Sequence, residues 1–159
     1  MTWTIWGERF KNSDFSGDPR VTQPFTLAEN TKIKSLRTWF VIFNDPSFTE
    51  LSMDIRADQG GVATETIYTF DKVWTLAEML EVESYGLKEI YFDFDVPKVL
   101  KADTQYHLVP VVSGAAFTAG SHLSWVRGFP DPNTTHSVPL SIHQISNLPF
   151  YMSFIGDDR

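Results

Sequence analysis

The stretch Lys88-Glu-Ile-Tyr-Phe-Asp-Phe-Asp-Val96 alternates polar and apolar side chains without a break. Ile90, Phe92, Phe94 and Val96 share one side, and Glu89, Tyr91, Asp93 and Asp95 share the other. Successive side chains of an extended chain point to opposite faces, so this rhythm predicts a strand with one buried and one wet face. The rhythm recurs. Leu51, Met53 and Ile55 alternate with Ser52, Asp54 and Arg56. Further strands are expected near Phe25 and Leu27, and over 66–70, 104–112, 122–126, 140–145 and 150–155. Trp3, Ile5 and Trp6 could open another, although residues 1–22 also read as an N-terminal arm.

Ile33 to Phe43 is a long candidate whose second half is apolar on both faces, which predicts a central strand. Turn chemistry separates the pieces. Asn44-Asp-Pro-Ser47 and Asp58-Gln-Gly-Gly61 carry the residues that tight turns require. Thr75-Leu-Ala-Glu78 has the spacing of a capping box, with Leu76, Met79 and Leu80 at helical intervals. One or two helical turns are therefore expected near 75–82, with a strand as the competing reading. Eight to ten short strands at regular spacing predict an all-β, antiparallel sandwich or barrel in a single domain spanning 1–159.

Composition narrows the chemistry. The 159 residues include thirteen Phe and five Trp, enough aromatic volume for a packed core. There is no Cys, which excludes disulfides, thiolate metal sites and a Cys nucleophile. A net charge of −7 argues against binding nucleic acid or an anionic membrane surface. The longest apolar run, Trp39 to Phe43, is too short to span a bilayer. Met1-Thr-Trp-Thr-Ile-Trp-Gly lacks the basic and apolar regions of a signal peptide, so the expectation is a product made in the cytoplasm.

The ordered pieces Gln23-Pro-Phe-Thr26, Ile33-x-Ser-Leu36, Asp45-Pro46, Asp54-Ile-Arg56 and Asp58-x-Gly-Gly61 are followed by Phe92-x-Phe94, Leu100-x-Ala102-x-Thr104-x-Tyr106, Ser124-Trp125 and Phe154-Ile-Gly156. This series resembles the jelly-roll, carbohydrate-binding-module-like domains of phage capsid and tail accessory proteins and of bacterial surface proteins. The resemblance implies a jelly-roll sandwich and a non-enzymatic virion role, as a capsid decoration or tail-associated protein. Its partners would be a major capsid or tail protein and further copies of itself. The virion would be its location, after synthesis in the host cytoplasm. The resemblance carries over no functional residues.

No catalytic set is assembled in the sequence. The four His lack helical metal-binding spacing, though His107 and His122 would lie in strands and could meet across a sheet. Asp93 and Asp95 lie about 7 Å apart on one strand face. That spacing falls inside the roughly 5–9.5 Å range of paired carboxylates in glycoside hydrolysis. A solvated polar face explains the same pair. Calcium is the one candidate ion, with Asp93 and Asp95 among its candidate ligands.

The stretch 125–136 is the best candidate for ligand binding. Trp125 and Phe129 would supply faces for a sugar ring, and Asp131, Asn133 and His136 would bond its hydroxyls. The plain alternative places Trp125 in the core. Two other functions remain open: a module that reads cell-surface glycans, and a small cupin-like metalloenzyme.

Overall fold

Gly60 and Gly61 adopt φ of +63° and +88°, which side-chain-bearing residues rarely tolerate. They turn β4 (Glu50–Gln59) back as β5 (Val62–Thr69). A computed structural model describes residues 6–9, 22–82, 88–116, 121–127 and 152–157. The remaining elements are β1 (Trp6–Arg9), β2 (Gln23–Thr26), β3 (Thr31–Phe43), β6 (Trp74–Thr75), α1 (Leu76–Glu81), β7 (Lys88–Leu100), β8 (Gln105–Ser113), β9 (His122–Arg127) and β10 (Met152–Ile155).

The turn at Gly60-Gly61 is the tip of one long folded hairpin. β4 pairs β5, β3 pairs β7, β2 pairs β8 and β1 pairs β9, all antiparallel. Rolling this hairpin brings β9 against β3 and β8 against β4. The result is two sheets, ordered β1-β9-β3-β7 and β2-β8-β4-β5. This is the strand order of a jelly-roll sandwich, whose rolled hairpin buries one face of each sheet against the other. Two short strands extend it: β10 lies along β3 opposite residues 35–38, and β6 continues the line of β5 along β4. Residues 6–9 of the expected arm thus form a sheet edge. Trp3, Ile5 and the expected strand at 140–145 lie outside the described residues.

The central position of β3 accounts for its apolar second half. Phe40 faces Lys88 of β7 on one side and Trp125 of β9 on the other. Phe40 enters the inter-sheet core, while the adjacent Trp39 and Val41 are buried on the opposite face. The core also takes Leu51, Met53 and Ile55 from β4, Ile90, Phe92 and Phe94 from β7, and Tyr106 and Leu108 from β8. Fully burying one such side chain is worth about 1.5–3 kcal/mol.

Val96 departs from the expected alternation and is 65% exposed. Ser35 pairs with Asp93 and Ile33 with Lys98, so residues 94–97 of β7 oppose Lys34 alone. The surplus residues leave Val96 at the surface, and beyond them the alternation resumes in the same phase, with Val99 exposed and Leu100 buried. Pro97 sits within the bulge, where the missing N–H removes no ladder bond.

The capping box forms as its spacing predicts. Thr75 Oγ1 accepts from the Glu78 N–H at 3.2 Å, and Glu78 Oε1 accepts from the Thr75 N–H at 3.1 Å. The helix is short, and Met79 is its one fully buried residue.

Candidate functional site

A polar grouping lies on the outer face of the β2-β8-β4-β5 sheet. Between the core residues Met53 and Ile55, the alternation of β4 turns Asp54 to this face. Register sets Asp54 opposite Thr69 and Arg56 opposite Thr66. Asp54 Oδ2 accepts from Arg56 Nη2 at 2.9 Å and Nε at 3.2 Å, and from Thr66 Oγ1 at 3.3 Å. Its Oδ1 accepts from Thr69 Oγ1 at 2.8 Å. Each bond within this cluster joins β5 to β4 or supports one that does.

A second group ties β4 to β8. Asp58 Oδ1 lies 2.7 Å from His107 Nε2 and accepts from Gln105 Nε2 at 3.0 Å. Burial pushes the Asp58 carboxyl upward, but hydrogen bonds from His107, the Gly61 N–H and Gln105, with the His107 charge, hold it below the ordinary value. An ionised carboxylate only accepts, so His107 Nε2 carries the shared proton. His107 is 1% exposed, and its Nδ1 has no hydrogen-bond partner among the described residues.

The carboxylates are occupied by donors from their own sheet. Among the described residues, no three His, Asp or Glu side chains converge as a metal site. The arrangement fastens neighbouring strands. His107 and His122 do not meet across one sheet, because β8 and β9 belong to different sheets.

The other sequence candidates separate in space. Trp125 is 0% exposed and stacks on Phe40, with ring centroids 6.0 Å apart and planes 10° from parallel. A ring so enclosed offers no face to a sugar. Phe129, Asp131, Asn133 and His136 lie outside the described residues. Asp93 Oδ1 accepts from Ser35 Oγ at 2.6 Å. The Asp95 N–H donates to Asp71 Oδ2 at 2.7 Å, and the Asp95 carbonyl accepts from Lys34 Nζ at 2.7 Å. Asp95 lies among the surplus residues 94–97 that follow Asp93 in the bulge.

A different region stands out by exposure. β5 and β7 are the edge strands on the same side of the roll, and α1 lies between them in the chain. The five exposed large hydrophobics among the described residues are Val62, Ile67, Leu80, Val96 and Val99, all on β5, α1 or β7. Tyr68 links the two edges, with an edge-on contact to Phe94 at 6.0 Å and Lys98 Nζ 5.6 Å from its ring centroid.

The β7 edge is covered from within the chain. The Asp71 and Lys72 N–H groups donate to the Asp93 carbonyl at 2.9 and 3.1 Å. Trp74 Nε1 donates to the Tyr91 carbonyl at 2.9 Å. Among the described residues β5 has no such cover and pairs with β4 alone. Sequence reasoning missed this side because alternation placed Val96 in the core. The readable signal was the composition of Val62-Ala-Thr-Glu-Thr-Ile-Tyr-Thr69, rich in strand formers and free of Lys and Pro.

A scan against protein-family models, a search of curated proteins and a search of solved structures each return no match.

Proposed function

We propose that this chain is a non-enzymatic structural accessory protein of a phage virion, a jelly roll that decorates the capsid or associates with the tail. The observation that carries this reading is the distribution of exposed aliphatic side chains. Val62, Ile67, Leu80, Val96 and Val99 are gathered on elements of one side, where a protein partner would bury them. The carboxylates of both polar clusters, engaged by donors that tie neighbouring strands together, support a scaffold over a reaction centre. The jelly-roll strand order is also compatible, since this architecture serves capsid and lectin domains. Fold alone is a weak guide to function, so the surface carries the argument. The glycan-reading alternative loses Trp125 as a platform and rests on residues 129–136.

The test is an immunoblot of gradient-purified particles from the phage that encodes the chain. A fixed copy number per particle, retained through a second gradient, supports the proposal. Protein abundant in the infected lysate but missing from particles overturns it.

A further inference from the structure

We infer that β5 is a self-pairing edge, through which two copies of the chain associate by antiparallel strand addition. The inference rests on the assembly reading and names one surface and one partner for it. Three observations converge on β5. It pairs with β4 alone among the described residues, so its other edge presents a row of N–H and C=O groups. Another extended strand is the occupant that matches such a row group by group. The strand carries one charged residue, Glu65, and exposes Val62 at 51% and Ile67 at 40%. The neighbouring edge, β7, has its Tyr91 and Asp93 carbonyls engaged by Asp71, Lys72 and Trp74.

The sequence of β5 suits its own copy. An unshifted antiparallel register about Glu65 would set Val62 opposite Tyr68, Ala63 opposite Ile67 and Thr64 opposite Thr66, although the shifts against β4 fall at Ile67 and at residues 64–65 within this span. Aromatic with β-branched and Thr with Thr are favourable cross-strand pairs. A two-fold arrangement uses each contact twice and closes the assembly at two copies along this edge. Two features keep the association weak. Register shifts between Ile55 and Arg56 and between Arg56 and Asp58 bend the β4–β5 ladder, which confines regular pairing to a few residues. The two-fold also brings Glu65 against its own copy, and each chain carries a net charge of −7. Added salt therefore strengthens the dimer by screening the repulsion.

Sedimentation equilibrium of the full chain over a wide concentration range tests the inference, with Val62→Lys, Ile67→Lys and Glu65→Gln beside the parent. The expected parent is a monomer–dimer equilibrium that tightens with salt. Either Lys substitution abolishes dimerisation while the far-UV spectrum stays unchanged, because both sites are exposed. Glu65→Gln removes the facing like charges and tightens the dimer about two- to fivefold. A parent that remains monomeric at every concentration overturns the inference, even if the chain is found in particles. A dimer indifferent to all three substitutions places the contact elsewhere and also overturns it. Loss of the chain from particles with β5 pairing intact would overturn the assembly reading instead.

Discussion

β5 and β7 are neighbouring edges on one side of the roll, and they manage the same hazard differently. A sheet edge exposes unpaired backbone groups that can template another strand. At β7 the chain covers its own edge: residues 71–74 turn N–H groups onto the Asp93 and Tyr91 carbonyls, and Asp71 takes the Asp95 N–H. At β5 no such cover is present among the described residues, and two register shifts twist the strand. The difference traces to the connections. The chain leaves β5 through Phe70, which packs against Phe92 and Phe94 of β7 and delivers the following residues to that edge. The other edge strands, β1 and β2, are only four residues each. Short edges need less protection.

Removing the anchor of the cover should have the largest effect. Phe70 stacks on Phe94 with centroids 4.0 Å apart and is fully buried. Phe70→Ala is expected to cost about 3–5 kcal/mol. Urea denaturation measures the loss, and faster exchange of the Asp95 amide would show that the β7 cover had opened.

The fastening of β5 comes next. Asp54→Ala removes the shared acceptor of Arg56, Thr66 and Thr69 and costs about 2–3 kcal/mol, within the range for hydrogen bonds to charged groups. An unchanged denaturation midpoint would show that the cluster does not hold the edge.

Much of this was legible in the sequence, and what was not legible is long-range. Alternation placed Ile90, Phe92 and Phe94, and Leu51, Met53 and Ile55, on buried faces, because period-two burial is a local property. Thr75 with Glu78 and the pair Gly60-Gly61 were equally readable, since caps and turns are made by adjacent residues. Val96 was not, because its exposure depends on which β7 residues oppose Lys34 of β3. Trp125 was ambiguous for a related reason. A Trp that precedes a polar stretch reads alike as platform or core, and contact with Phe40 decides the matter. The partners of Asp54 and Asp58 come from three strands whose order no local pattern contains.

Subtler changes sharpen the contrast. Trp74→Phe keeps the ring but deletes the donor to the Tyr91 carbonyl, for about 1 kcal/mol by urea denaturation. A Trp74→Phe chain with the parent's denaturation midpoint would show that this bond does not hold the cover in place.

The smallest effect is in acid. The folded state holds the Asp58 carboxyl below its reference value of 3.8. A lowered folded value stabilises the protein above the unfolded value, and this contribution fades as pH falls through the folded one. Stability should therefore drop below about pH 3.8, with a shallower drop in Asp58→Asn. Parallel pH curves for parent and variant would contradict the role given to the His107–Asp58 pair.

The central claim is one covered edge beside one open edge. Hydrogen–deuterium exchange read at single amides, at low and then high protein concentration, tests it most directly. In dilute solution the account predicts protection at Asp71, Lys72 and Asp95 and fast exchange at the amides of β5 that face away from β4. Raising the concentration should slow exchange in β5 alone. Equal protection of both edges in dilute solution, or concentration-dependent protection that spares β5, would contradict it.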